Sequence, residues 1–435
     1  MSWHEAYKAK VTDARSALER TISSGDRVML NANCGQPQTL AEALAELAPD
    51  LRDVEVVQLL ALGKADYARS DLAGHLRLNA LFIGPGVREA VNAGAADYTP
   101  VFLSEIPALF DDALPLDCAL VQVSLPDEHG FCSFGVSVDI IKPAAERAKT
   151  VLAEVNAQMP RTLGDCFIHV SKLTYVVEVD RPLIELPREP FTPVHERIGK
   201  HVAELIEDGS TLQLGIGAIP DAVLSQLKDK RHLGIHTEMF ADGVMELFEA
   251  GVVTNEKKTL HRGKIVSSFV MGSRRLYDFI DNNPVVEMHP SHYVNDPFVV
   301  AQNDNMVSVN SAISIDLTGQ VNADSMGTRF FSGIGGQVDF VRGARRAKNG
   351  KAIIALPSSA KGGEVSRIVP VLAPGAGVVT SRGDVDFVAT EYGVARLHGR
   401  SIRERARALV NIAHPKARDE LERFARENNY WKGRE

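Results

Sequence analysis

Short apolar runs alternate with helical stretches along almost the whole chain, and few architectures tolerate that order. In the first half, residues 26–32, 54–62, 79–84, 99–103 and 118–124 read as strands. Between them, residues 39–51, 88–96 and 106–114 carry apolar side chains at three- and four-residue spacing, the period of a helix with one buried face. Strands that alternate with helices predict a mainly parallel sheet covered by helices on its faces. The alternation stops at residues 181–193, which hold four prolines and no periodicity. Proline removes backbone donors and stiffens the path, so this stretch reads as a linker. The pattern then resumes. Helices are expected at 194–207, 220–228, 242–251, 273–280, 401–413 and 415–429, and strands at 211–217, 232–240, 351–357, 377–382 and 385–390. Residues 306–322 read as a hairpin, with polar turn residues between two apolar runs. The expectation is an α/β chain of two similar open-sheet domains, residues 1–182 and 196–435, joined by a linker over 183–195.

At 435 residues, two domains are the natural division. The formal net charge of -8 argues against a general attraction to nucleic acid or to an anionic membrane surface. An anionic ligand would therefore need a local basic pocket. No apolar run approaches membrane-spanning length, and the amphipathic N-terminus carries acids from Glu5 on, unlike a signal peptide. A cytoplasmic location is expected. Cys34, Cys118, Cys132 and Cys166 form no CxxC pair and are too scattered for a disulfide framework, which fits buried thiols in a reducing compartment.

Four segments could carry chemistry. The loop from Gln213 through Leu214, Gly215, Ile216 and Gly217 joins an apolar strand to a helix. Its glycines let the main chain approach a ligand, and the helix that follows offers free N–H groups; a plain tight turn fits equally well. Pro220 stands where the third glycine of a dinucleotide fingerprint would be. Glu238 is expected at a strand end, where parallel sheets bind ligands, although a solvated acid also fits there. Gly333, Gly335 and Gly336 make a second flexible loop able to present amides. Lys361, among Ser358, Ser359, Gly362 and Gly363, could cradle phosphate or could be a solvated loop lysine. Other constellations are weaker. Pro290 separates His289 from His292 and spoils their presentation to a metal, so no metal site is expected. Asp127, His129 and Cys132 lie in a proline- and glycine-bearing stretch that suits an ordered turn better than a cysteine nucleophile.

Taken in order, the segments QLGIGAIPDAV, HTEMFADG, YVNDP, NSAISIDLTGQVN, SGIGGQVDF, SSAKGGEVSRIVP and VTSRGDVDFVATEYGVARLHG resemble the acetyl-CoA hydrolase/transferase family, and within it the branch of 4-hydroxybutyrate and butyrate CoA-transferases. The resemblance extends to VSLPDEHGFCSFG in the first half and covers nearly the whole chain. It implies the CoA-transferase fold, with an active site enclosed between the two domains and CoA held mainly by the second. The glutamate of the TE-x-x-x-DG segment, Glu238 here, is implied to be the nucleophile. Gly215, Ile216 and Gly217, with Gln213 and Leu214 leading into them, resemble a loop that supplies an oxyanion-hole amide. Gly335 and Gly336 resemble a second such loop, Lys361 a CoA-contacting lysine, and Asn295 and Glu391 positions bordering the site. The LGIGA loop departs from the SGVGN-like loop of the acetate–succinate branch, which favours small monocarboxylates over succinate.

The implied reaction is a ping-pong exchange of CoA between an acyl-CoA and a small carboxylic acid through a glutamyl-CoA thioester. CoA is then a substrate, with no permanently bound cofactor, and a homodimer, or a tetramer built from dimers, is the expected assembly. Glu238 is expected to be ionised at neutral pH and to need no general base. A hydrolase on the same scaffold, and a non-catalytic CoA- or nucleotide-binding protein, are the rival readings.

Overall fold

The computed structural model describes residues 2–431, which divide into two compact units. The first runs to Pro187 and also takes in Val266–Val294; the second comprises Arg188–Ile265 and the chain from Asn295 onward. A boundary read along the sequence does not contain the excursion of 266–294, because no break in the helix–strand alternation marks either of its ends.

The first unit is built on a seven-stranded sheet: β1 (Arg27–Leu30), β2 (Val54–Gln58), β3 (Leu76–Ala80), β4 (Asp97–Tyr98), β5 (Cys118–Val123), β6 (Thr150–Asn156) and β7 (Tyr175–Val179). Their order is β7-β6-β5-β1-β2-β3-β4, and every neighbouring pair is parallel. Parallel strands covered on both faces read as continuous apolar runs, and β5 is buried at all six positions. The helix α1 (Gln38–Leu47) buries Leu40, Ala41, Leu44 and Leu47, the stripe its spacing prescribes. No continuous strand forms at 99–103: Phe102 makes an isolated bridge, and Asp97–Tyr98 just ahead of it pairs with β3.

The second unit has a six-stranded sheet of β8 (Thr211–Leu214), β9 (Gly234–Ile235), β10 (Met306–Ser311), β11 (Lys351–Ala355), β12 (Phe387–Thr390) and β13 (Gly393–Arg396). The order is β9-β8-β10-β11-β12-β13, parallel except for the last pair. The chain steps from β8 outward to β9 and then returns to β10 on the other side of β8. That reversal opens a crevice at the C-terminal ends of these strands. Residues 306–322 are not one hairpin: 306–311 joins the main sheet as β10, and Ser314–Asp316 pairs with Val321–Asn322 in the hairpin proper. Residues 377–382 form no strand, with Thr380 bridging Val321 alone. No helix among the described residues is long and apolar enough to cross a membrane.

Candidate active site

Both segments that follow β8 and β9 lie at this crevice. Gly215–Gly217 leads from β8 into α2 (Ala218–Ser225), and Gly217 adopts φ 105° and ψ -179°, a backbone state that side-chain-bearing residues avoid. Side chains on Gly215 and Gly217 would enter open space, and Ile216 is exposed, so the loop is accessible along its length. Gln213 and Leu214 differ from their neighbours. Leu214 is buried, and the amide of Gln213 exchanges reciprocal hydrogen bonds of 3.4 and 3.3 Å with Asn310 on β10. Their side chains belong to the sheet, so any contact they make with a ligand falls to the backbone.

Glu238 lies three residues beyond β9, because the apolar run 232–240 is broken into Gly234–Ile235 and Met239–Phe240 with the site between them. The Thr237 hydroxyl ties this break to the first loop by donating to the Leu214 carbonyl at 3.2 Å. The buried Asn295 side chain donates from Nδ2 to Glu238 Oε2 at 2.7 Å. On another side stands Gly336, which precedes α3 (Gln337–Arg346). A Cβ built on Gly336 would overlap the Glu238 carboxylate and the Asn295 amide, so only glycine fits there. Gly335 ahead of it takes the left-handed φ of 58° that brings the turn against the carboxylate. The positive end of the α3 dipole thus faces Glu238.

Protein packs round this carboxyl group although the residue keeps some surface, and burial pushes its pKa up to about 7, against the opposing pull of the Asn295 hydrogen bond. Glu238 is therefore only about half ionised at neutral pH. This corrects the expectation of a fully ionised side chain, which took the ordinary glutamate value and had no means of counting the surrounding atoms.

Lys361 stands exposed on a short hairpin in which Ser359–Ala360 pairs with Val365–Ser366. Glu391, at the end of β12, is buried and bonds to Ser358: its Oε2 accepts from the Ser358 amide at 2.8 Å and its Oε1 from the hydroxyl at 2.7 Å. Both Ser358 donors are thereby committed to Glu391, so Ser358 leaves the phosphate cradle read from the sequence. The bonds that Glu391 makes run to this hairpin's root.

The family model for the acetyl-CoA hydrolase/transferase N-terminal domain matches residues 1–185, and that for the C-terminal domain matches residues 272–425. A 4-hydroxybutyrate coenzyme A transferase from Clostridium kluyveri is 56% identical over 97% of this chain and 98% of its own. The chain belongs to the acetyl-CoA hydrolase/transferase family. Within that family it is an enzyme of the CoA-transferase kind. A succinyl-CoA:acetate/propanoyl-CoA:succinate CoA transferase from Fasciola hepatica is 48% identical over 93% of this chain and 85% of its own. The crystal structure of a 4-hydroxybutyrate CoA-transferase from Porphyromonas gingivalis superposes with a TM-score of 0.86 at 43% identity, covering 98% of this chain and all of that one. Residues 186–271, Glu238 among them, lie between the two matched stretches.

In this family member Asp127 and Cys132 have structural employment. Asp127 accepts from the amides of His129 and Phe131 and pairs with Arg161 at 2.9 Å, the ordered turn that the sequence suggested. Cys132 is fully buried, and burial pushes its thiol up to about 12, the opposite of an activated nucleophile. His289 lies 3.6 Å from Glu287 and beside the Tyr293 ring, while burial lowers the pKa of His292. Thr237, Asn310 and the role of Ser358 were not found from the sequence. Their function is to hold neighbours, and hydrogen bonds between residues up to 97 positions apart leave no local signal.

Proposed function

We propose that the protein exchanges CoA between an acyl-CoA and a small monocarboxylate, with Glu238 as the nucleophile and 4-hydroxybutyrate or butyrate with acetyl-CoA as the substrate pair. The observation that carries this is the enclosure of the Glu238 carboxylate by Asn295 and Gly336 at the mouth of a parallel sheet.

In the first step the Glu238 carboxylate attacks the thioester carbonyl; the C–S bond breaks, CoA leaves as its thiolate, and a mixed anhydride remains. The thiolate then attacks the glutamyl carbonyl, expels the first carboxylate and leaves CoA on Glu238 as a thioester. The incoming acid reverses both steps and departs as the new acyl-CoA. One thioester replaces another, so no ATP is consumed. Each attack builds a negative tetrahedral oxygen, for which the amides of the Gly335–Gly336 turn and the Gly215–Gly217 loop are the donors we assign, each worth about 3 kcal/mol by analogy with other oxyanion holes. Asn295 orients the carboxylate through Oε2. Burial supports the same reading, since a carboxylate held near pKa 7 is more basic, and more nucleophilic, than a solvated one.

The distinction from hydrolysis rests on the acceptor. With acetyl-CoA and added 4-hydroxybutyrate or butyrate, chromatography should resolve a new acyl-CoA and equimolar acetate. Free CoA released at the same rate with or without the acid would instead assign the site to a hydrolase. Succinate, named in the Fasciola hepatica relative, is the competing acceptor to include.

A further inference from the structure

The hairpin that carries Lys361 is held at both ends by consecutive residues of one segment. At its root, the Arg367 amide donates to the Ser358 carbonyl at 2.9 Å, and the amide and hydroxyl of the same buried Ser358 go to Glu391. Glu391 itself follows β12, an inner strand of the sheet, so the anchor is rigid. At the tip, Lys361, Gly362 and Gly363 all have left-handed φ, of 50°, 69° and 95°. A Cβ on Gly363 would stand 3.1 Å from the His414 ring, so that imidazole lies directly over the turn. His414 is in turn met edge-on by Tyr392, with centroids 5.8 Å apart, and Arg418 covers the Tyr392 ring at 5.5 Å. The pair Glu391–Tyr392 therefore grips the root by hydrogen bonds and reaches the tip through the edge-on contact of Tyr392 with His414. The Lys361 ammonium makes no hydrogen bond or ion pair with any described residue. An unusual backbone is thus built and braced to present one uncommitted cation.

We propose that Glu391 is a positioning residue: by holding Ser358 it fixes the hairpin that offers Lys361 to the phosphate-bearing end of CoA, and it does not touch the reacting atoms. This rests on the reading of Lys361 as a CoA contact, and it turns Glu391 from a border of the chemistry into a clamp on the binding loop. The clamp acts on ligands that carry the phosphates and is silent toward those that lack them.

The test compares CoA with pantetheine, and acetyl-CoA with acetyl-pantetheine, which carry the same thiol or thioester without the phosphoadenosine end. Calorimetry on Glu391→Ala should show CoA binding weakened about tenfold, the scale of one lost charge-assisted contact, and pantetheine binding changed less than about twofold. In turnover, KM for acetyl-CoA should rise by the same factor and kcat should change much less. Combining Glu391→Ala with Lys361→Ala should add little to the worse single variant, since both remove one interaction. Ser358→Ala, which deletes only the hydroxyl, should give a smaller loss of the same kind and keeps the test usable if Glu391→Ala does not fold. Equal losses on the long and short ligands, or multiplying effects of the two substitutions, would overturn the clamp. The calorimetric arm needs no turnover, so a protein that never labels Glu238 would refute the transfer chemistry while this comparison still judged Glu391.

Discussion

Replacing Glu238 with glutamine should stabilise the protein in a pH-dependent way, because the folded state holds this carboxyl in surroundings that disfavour its charge. Burial moves it from the ordinary 4.5 to about 7. The unfolded chain releases the proton near 4.5 and the folded chain retains it until about 7. Stability from this group therefore falls as pH rises through that window and is flat above it. The rise corresponds to about 3 kcal/mol at full ionisation, and the surface that Glu238 keeps brings the expected figure to about 2 kcal/mol. A glutamine side chain would preserve the shape and an acceptor for Asn295 while carrying no charge. At about 2–4 °C per kcal/mol for a unit of this size, Glu238→Gln should melt about 4–8 °C above wild type at pH 8. By pH 4.5 the gap should have closed to a small constant offset. Thermal unfolding followed by circular dichroism, with both proteins scanned at one rate from pH 4.5 to 8.5, measures it. A Tm difference that does not change with pH would refute the placement of Glu238 in a desolvating site.

Other consequences follow from the same contacts. The rate of acyl transfer from acetyl-CoA in the first half-reaction should rise with pH to an inflection near 7 and then level, since only ionised Glu238 attacks; an inflection near 4.5 would contradict the burial. Asn295→Ala removes the hydrogen bond that favours the charged form, so that inflection should move to higher pH and the plateau rate should fall about 10²-fold, as stopped-flow traces would record. Gly336→Ala forces a methyl into the Glu238 carboxylate, and transfer should drop at least 10²-fold while circular dichroism stays native.

Much of this was legible in the sequence where structure is local. The strand–helix alternation predicted parallel sheets because buried strands and one-faced helices each leave a period. Failures came where a short segment takes its form from distant partners. Residues 150–156 and 175–179 form two long strands that the alternation did not single out, and the apolar 377–382 forms none. The run 232–240 looked like one strand because its apolar content continues through the break, yet the interruption is what aims Glu238 into the crevice. For the site, the motifs supplied the residues and the fold supplied their terms of employment. Gly336 and Asn295 meet Glu238, whereas Glu391, read as their companion, turns out to bind Ser358. The ionisation of Glu238 was beyond reach, since it is a property of the packed surroundings.

Intact-protein mass spectrometry after incubation with acetyl-CoA tests the central claim most directly, with Glu238→Ala run beside the wild type. Wild type should gain the mass of CoA, lose it on treatment with hydroxylamine and regenerate acyl-CoA when a small carboxylate is added; the variant should gain nothing. An adduct that persists in Glu238→Ala, or acetyl-CoA consumed by wild type with no adduct at any time, would contradict a thioester on Glu238.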